Sequence, residues 1–339
     1  MRVGVAIIGF GNVGRELSRV LARKAEILKA EMGVEIYVKG VVASKGYVAL
    51  GRDWRKEILD LASRYELGDR GFLRDSGDPL ELVDLASPDL AFVAIPPSYT
   101  TGEPNLTIYR GLLKKGVSII TADKTGLALR YDELFREARR RGIYIGYRAT
   151  VMAGTPAIDV ITGLVGREIK RIRGVLNATT NYILSLVEKG LSFDEAVSKA
   201  VAEKLAEPDP RIDTEGFDPS AKLAILVNSA GVKISIENIR RTSLTSVPEN
   251  MVREAARSGR RVKYIAIADM ERKTFSVSPE ILEPEDPLSN VSGNYNGLSI
   301  DIEGEKILLT GPAGPAWRTA GVMFTDLISY LNQRQRLEP

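Results

Sequence analysis

The sequence predicts an α/β chain: a doubly wound parallel sheet followed by a second, mixed α+β domain. Three observations lead there. Residues 2–8, RVGVAII, form an apolar run rich in β-branched residues, which suits a strand buried on both faces. The run enters a glycine-rich turn, GFGNVG at 9–14, and then a helical pattern with Leu17, Val20, Leu21, Ile27 and Leu28 at helical spacing. Strand-like and helix-like segments then alternate over about 150 residues, the rhythm of a parallel sheet with helices on both faces.

The elements follow in order. EIYVKGVVAS (35–44) is read as the second strand, with a helical piece around 54–66. DLAFVAI (89–95) is a strand, followed by a helix near 105–115, the strand VSIITA (117–122), a helix near 131–141 and the strand IYIGYRATV (143–151). Further on the alternation stops. EIKRIRGVL (168–176), RVKYIAIADM (261–270), TFSVSPEIL (274–282), GLSIDIEG (297–304) and KILLTG (306–311) read as strands. Helical patterns lie near 180–190, 193–204, 219–230 and 249–258, between the first two of these. Consecutive strands late in the chain predict an α+β domain. The last helical segment, beginning AWRTAGVMF, follows a Gly/Pro-rich turn and is expected to pack back on the first domain. The reading therefore divides the chain at 1–150, 151–310 and a returning segment 311–339.

Composition narrows the chemistry. With 44% hydrophobic and 27% charged residues, the 339-residue chain reads as an ordinary globular protein with a real core. A formal charge of +3, spread along the chain, gives no argument for nucleic acid, and no apolar run approaches the roughly 18 residues of a membrane span. The N-terminus enters a strand at once, so no signal peptide is expected. The chain has no cysteine, which excludes disulfides and thiolate chemistry and fits a cytoplasmic enzyme. It also has no histidine. Triads and the usual zinc ligand sets are thereby excluded, and acid–base work falls to Lys, Asp, Glu or Tyr.

Gly9, Gly11 and Gly14 stand in strand–turn–helix context, the arrangement of a Rossmann-type dinucleotide site. The first glycine makes the turn, the second lets backbone approach a pyrophosphate, and the third lets helix pack on strand. The helix N-terminus then presents free N–H groups to phosphate. Asn12 and Val13 within the turn, with Ile95, Pro96 and Ala122, complete the expected cofactor set in this first domain. Where an NAD-selective site carries an acid against the ribose, the chain reads Val42-Ala43-Ser44-Lys45-Gly46. Ser44 and Lys45 suit a 2′-phosphate, so NADP is favoured and NAD stays possible; a solvated loop lysine is the competing reading of Lys45.

The segment AEPDPRIDTEGFDPSAK, 206–222, gathers acid around one base. Glu207-Pro208-Asp209-Pro210 cannot be helical, and Asp218-Pro219 reads as a helix start with Asp218 at the N-cap. Lys222, four residues on, shares a face with Asp218. Capping accounts for Asp218 alone, and a solvated loop for the remaining acids. The alternative is a carboxylate cluster that holds a substrate ammonium and orients the lysine.

These residues resemble the homoserine dehydrogenase family. The resemblance runs through GFGNVG (9–14), TADK (121–124), ATVMAGTP (149–156), NATTNYIL (177–184), EPDPRIDTEGFDPSAKLAIL (207–226) and GPAG…TAGVMFTD (311–326), in the family's order. It implies a short form with neither a fused kinase nor a C-terminal regulatory domain, acting on L-homoserine and L-aspartate 4-semialdehyde in threonine and methionine biosynthesis. It makes Lys222 the catalytic lysine and Lys124 a second lysine that assists by charge or proton relay. Glu207, Asp213, Asp218 and Thr180 become substrate ligands, although Asn177 and Thr179-Thr180 can equally be a strand end and helix cap. It makes Gly311, Ala313 and Gly314 a returning loop on the cofactor, and the backbone carbonyls of Arg148, Val151, Ala153 and Thr155 a sodium site. The sheet expected in the second domain suggests dimerisation, so a homodimer is expected.

The chain departs from the family pattern at Asp123, where Asn usually precedes the lysine, and at Arg148, commonly Glu. Leu205 replaces a frequent Tyr, and Trp317-Arg318 enlarge a loop that is usually small. Two rival readings remain at this point. One is another NAD(P)-dependent amino-acid or oxo-acid dehydrogenase on the same scaffold; the other is a catalytically silent dinucleotide-binding regulator, although both lysines are present.

Overall fold

The structure, a computed structural model, describes residues 1–76, 78–203, 205, 206 and 210–337. It opens with β1 (Arg2–Ile8), in which every residue after Arg2 is buried. That unbroken burial is the mark of a central parallel strand covered on both faces. Helix α1 (Asn12–Met32) buries Leu17, Val20, Leu21, Ala25 and Leu28. Ile27, expected on that face, is exposed, and Ala25 holds the place instead. Gly33, in the left-handed region at φ 65°, ends the helix with its N–H on the Lys29 carbonyl.

There follow β2 (Glu35–Ala43), β3 (Gly46–Ala49), α2 (Trp54–Glu66), β4 (Arg74–Asp75), α3 (Glu81–Ala86), β5 (Leu90–Val93), α4 (Asn105–Lys114), β6 (Ser118–Thr121), α5 (Thr125–Arg141) and β7 (Ile145–Gly146). The sheet has the order β4-β3-β2-β1-β5-β6-β7. Strands β2, β1, β5, β6 and β7 run parallel, and β3 and β4 add an antiparallel edge that the sequence pattern does not reveal. The strand expected over 143–151 is only β7, followed by a 3₁₀ turn at Arg148–Thr150. Helix α5 begins earlier than expected because Asp123 Oδ1 accepts the Thr125 N–H at 3.0 Å and so closes its first turn.

The second set of elements is α6 (Ala157–Gly163), β8 (Ile169–Val175), α7 (Ala178–Glu188), α8 (Phe193–Ala202), α9 (Arg211–Thr214), α10 (Phe217–Ser229), β9 (Arg240–Arg241), α11 (Glu249–Arg257), β10 (Arg261–Asp269), β11 (Thr274–Leu282), β12 (Tyr295–Ile302) and β13 (Glu305–Pro312). Its sheet runs β13-β12-β8-β10-β11-β9. All pairs are antiparallel except β11 with β9. Helices α7, α10 and α11 pack on β10. Helix α10 starts before the expected Asp218-Pro219. Gly216, left-handed at φ 78°, precedes it, and a Cβ there would run into the Tyr264 hydroxyl. Asp218 therefore lies inside the first turn rather than at the N-cap. Pro219 is tolerated there because the first-turn N–H groups have no intrahelical acceptor.

Helix α12 (Ala316–Leu337) returns to the first set and packs on α1. Ala320, Met323, Leu327, Tyr330 and Leu331 join the core that holds Val3, Val5, Ile7, Leu17 and Leu21. The chain thus divides into two units. The first comprises Met1–Gly126, Asp132–Ala153 and Gly314–Pro339; the second comprises Leu127–Tyr131 and Gly154–Ala313.

Candidate active site

In the first unit the glycine turn is built by β1 and the start of α1. Gly9 has φ 101°, and its N–H donates to the Val42 carbonyl at 2.9 Å, tying the turn to the end of β2. A Cβ on Gly9 would collide with the Ala94 carbonyl, and one on Gly14 with the carbonyl of Gly9. These two glycines are required by the protein itself. Gly11 is different. Its φ of −74° is open to any residue, and a Cβ there would meet nothing within 4 Å. Glycine is an acceptable N-cap here, and the open space beside it also admits an approaching ligand, as a pyrophosphate at a helix N-terminus demands. Helix α1 has no acid in its first turn and no side-chain cap, so its N-terminal N–H groups suit an anion. The residues present therefore fit a dinucleotide. Asn12 is exposed and Val13 half-buried beside Gly11; Asn12 Oδ1 accepts from Arg15 Nη2 at 2.7 Å.

Ser44 and Lys45 are the two exposed residues between β2 and β3, at the tip of a hairpin in which Ala43 pairs with Gly46. At the strand ends, Ile95 is half-buried and its side chain lies against the Cβ position of Gly9. Pro96 is exposed and its carbonyl accepts from Asn105 Nδ2 at 3.0 Å, and the Ala122 N–H donates to Val93 O at 2.9 Å. Lys124 is half-buried, one residue before α5. Beside it Asp123 is fully buried. Its Oδ1 accepts from the N–H and the hydroxyl of Thr125, at 3.0 and 2.8 Å. Its Oδ2 is enclosed without a hydrogen-bond partner among the described residues. Burial pushes this carboxyl above its usual range, and the bonds from Thr125, the neighbouring Asn105 amide and the charge of Lys124 offset that only in part.

In the second unit, four side chains meet where β8 passes into α7 and where α9 and α10 begin. Lys222 Nζ donates to the Leu176 carbonyl at 2.6 Å and pairs with Asp218 Oδ2 at 2.7 Å. Asn177 Nδ2 donates to Asp213 Oδ1 at 2.6 Å and to Asp218 Oδ2 at 2.9 Å. Its Oδ1 accepts the Thr180 N–H at 2.9 Å, capping α7. Two carboxylates and one ammonium are thus gathered around a single amide, an arrangement with oxygen acceptors for a cationic ligand. Lys222 and Asp218 each keep only a small part of the side chain exposed, 14% and 13%.

Asp213, Asp218 and Lys222 thus come together as the sequence suggests. Glu207 lies outside the described residues. Thr180, expected as a substrate ligand, is wholly buried, with its N–H and hydroxyl both bonded to Asn177, the hydroxyl to the Asn177 carbonyl at 3.1 Å. The residue of that motif that reaches the carboxylates is Asn177. Sequence reasoning places Asn177 in the matched motif NATTNYIL with a helix cap as the competing reading, and assigns it no contact to the carboxylates.

The returning-loop residues divide in character. Gly311 sits within β13, where a Cβ would strike the Thr155 side chain. The Ala313 N–H donates to Asn294 O at 2.6 Å, and Gly314 is exposed. Around the expected sodium site, Met152 and Gly154 take left-handed φ values of 50° and 99°, which turns the peptide planes of the segment. The Arg148 side chain and backbone N–H both go to Asp326 on α12, at 2.5 and 3.0 Å. The carbonyls of Arg148, Val151 and Ala153 are backbone groups of this turn, and that of Thr155 accepts the Ala157 N–H at 2.7 Å. Among the described residues no three acidic side chains are grouped as metal ligands.

Comparison with known proteins adds a second line. The family model described as homoserine dehydrogenase matches residues 156–328. A homoserine dehydrogenase from Sulfurisphaera tokodaii is 34% identical over 325 residues, covering 95% of this chain and 96% of that one. An NAD(+)-dependent homoserine dehydrogenase from Pseudomonas canavaninivorans is 30% identical over 337 residues, covering 96% and 95%. In three dimensions the chain is similar to a hyperthermophilic archaeal homoserine dehydrogenase in complex with NADPH. The TM-score is 0.81 and the identity 30%, with 97% of each chain covered.

Proposed function

The chain belongs to the homoserine dehydrogenase family, and on that premise we propose that it interconverts L-homoserine and L-aspartate 4-semialdehyde with a nicotinamide dinucleotide. The first unit is the cofactor unit. Gly9, Gly11 and Gly14 with the N-terminus of α1 hold the pyrophosphate, and Ser44 and Lys45 meet the adenosine ribose. The relatives include one named for NAD(+) and one bound to NADPH, so the choice of cofactor rests on this chain's own residues. An exposed lysine and no acid after β2 favour NADP(H). When bound, the reduced nicotinamide supplies the hydride that turns the aldehyde into an alcohol.

The second unit supplies the rest of the chemistry. The carboxylates of Asp213 and Asp218 attract the substrate ammonium, and Lys222 gives a proton to the oxygen that becomes the alcohol. In the oxidising direction the same nitrogen takes that proton back. Lys222 suits the role because its ammonium is held from two sides, by the Leu176 carbonyl and Asp218, so its position does not depend on the substrate. That doubly held lysine beside two carboxylates is the observation that carries the proposal. Lys124 assists by its charge. A sodium ion held by the carbonyls of Arg148, Val151, Ala153 and Thr155, a homodimer and a cytoplasmic location complete the proposal; no described helix is long and apolar enough to cross a membrane.

The test is substrate profiling of the purified protein with NADP+ and NAD+. L-homoserine should be oxidised far better than 2-hydroxy acids or than amino acids lacking the γ-hydroxyl. Preferential turnover of a 2-hydroxy acid would show a different dehydrogenase on the same scaffold.

A further inference from the structure

We infer that Asn177 is a positioning residue for the reaction: an uncharged clamp whose amide holds Asp213 and Asp218 together and, through Asp218, sets Lys222. The inference rests on the proposed role of Lys222 and extends it to a residue with no chemistry of its own.

Asn177 is nearly buried and all its hydrogen-bonding capacity of consequence is engaged. One end of the amide caps α7, and the other bonds a carboxylate on α9 and one on α10. The residue before it, Leu176, supplies the carbonyl on which Lys222 also rests. Two consecutive residues at the end of β8 therefore define the lysine from two directions, one directly and one through Asp218. A cap needs only the oxygen of Asn177. The bonds from its nitrogen do nothing for α7, and they span 36 and 41 residues to reach the acidic segment.

The identity of the clamp matters because two carboxylates bonded to one donor lie close enough to repel. An arginine or lysine here would neutralise them and abolish the pull on a substrate ammonium. A hydroxyl would cap the helix with too few donors to bridge both. An amide donates to both and adds no charge, so Asp218 can keep its pair with Lys222 while both carboxylates stay available to a substrate ammonium.

Variants at position 177 separate the cap from the clamp. Asn177→Ser keeps a good N-cap residue and removes the bridge. We expect melting close to that of the parent and unchanged NADPH affinity. We also expect kcat lowered roughly tenfold and KM for L-homoserine raised severalfold, the scale of a lost hydrogen bond to a charged group. Asn177→Asp also keeps the cap but sets a third carboxylate against the other two. Its activity should be poorest at neutral pH and recover in part as pH falls, because the protonated acid removes the third charge and offers one O–H donor, one fewer than the amide; the parent should show no such recovery. Lys222→Met serves as the control. Inactive Lys222→Met beside an Asn177→Ser variant with parental kcat and KM would reduce Asn177 to a helix cap and overturn the inference alone. Parental kcat in Lys222→Met would overturn the reading beneath it.

Discussion

Asp123 buries a carboxyl group that forms no ion pair among the described residues, and its neighbour Lys124 is one of the two lysines assigned to the chemistry. Burial raises its pKa above the ordinary 3.8. The folded chain therefore holds this proton more tightly than the unfolded chain does. The stability it contributes is complete below the ordinary carboxylate range and is lost as pH rises through the raised value. Asn105 and Tyr109 from α4, Thr121 from β6 and Thr125 from α5 line the pocket, and the charge of Lys124 acts on it. Asp123→Asn has the same shape and cannot ionise. It should melt like the parent at acidic pH and progressively higher than the parent as pH rises; a pH-independent gap in melting temperature would show that Asp123 is not the ionising group. Lys45 carries the second residue-scale prediction. One partly solvated contact to a 2′-phosphate contributes about 1–2 kcal/mol, so Lys45→Ala should reduce the preference for NADP(H) over NAD(H) by roughly 5- to 30-fold. Separate titrations of the two cofactors measure this, and an unchanged ratio would clear Lys45 of the role. At this scale the sequence revealed what lies within one helical turn, as with Asp218 and Lys222. Asn177 was not legible as a clamp, because its two carboxylates arrive only when α9 and α10 pack against the end of β8.

The glycine turn shows how much of an element can be read before folding. Three glycines at the family spacing announce the strand–turn–helix, but spacing alone treats them alike. The structure separates Gly9 and Gly14, which neighbouring carbonyls forbid to change, from Gly11, which faces open space. Gly14→Ala should destabilise the protein by about 1–3 kcal/mol, the usual cost of forcing atoms into packed backbone. Gly11→Ala should fold with little loss, the small cost of a poorer N-cap, and bind NADPH at least about tenfold more weakly. Thermal melts beside fluorescence titration decide it, and equal effects at the two positions would refute the distinction. The edge strands β3 and β4 were hidden for a different reason. They are short, and β4 is exposed, so neither shows the alternation that betrays a half-buried strand. The start of α10 was misplaced because Asp-Pro is a strong helix-start signal, and Gly216 with its left-handed turn overrides it.

Across the whole molecule, the alternating first half and the strand-rich second half were legible because burial periodicity persists over many elements. The return of α12 to α1 was legible from its long apolar face after a glycine–proline turn. Less legible was the break between the units, which falls inside helix α5 at Leu127–Tyr131 as well as near residue 153. A helix pattern carries no mark of which body each turn joins, although Arg130 leaves helical geometry at φ −141°. The proposed homodimer belongs to this scale, and sedimentation at working concentration should give twice the 37.1 kDa chain mass, a result that a monomer would contradict. The central claim is that the two units divide the work, with cofactor binding in the first and proton transfer by Lys222 in the second. The most direct measurement is steady-state oxidation of L-homoserine by the parent and by Lys222→Met, with NADPH affinity titrated on both. The account predicts kcat lowered by about 100-fold or more with cofactor affinity unchanged. A Lys222→Met enzyme that turns over homoserine at the parental rate would contradict it.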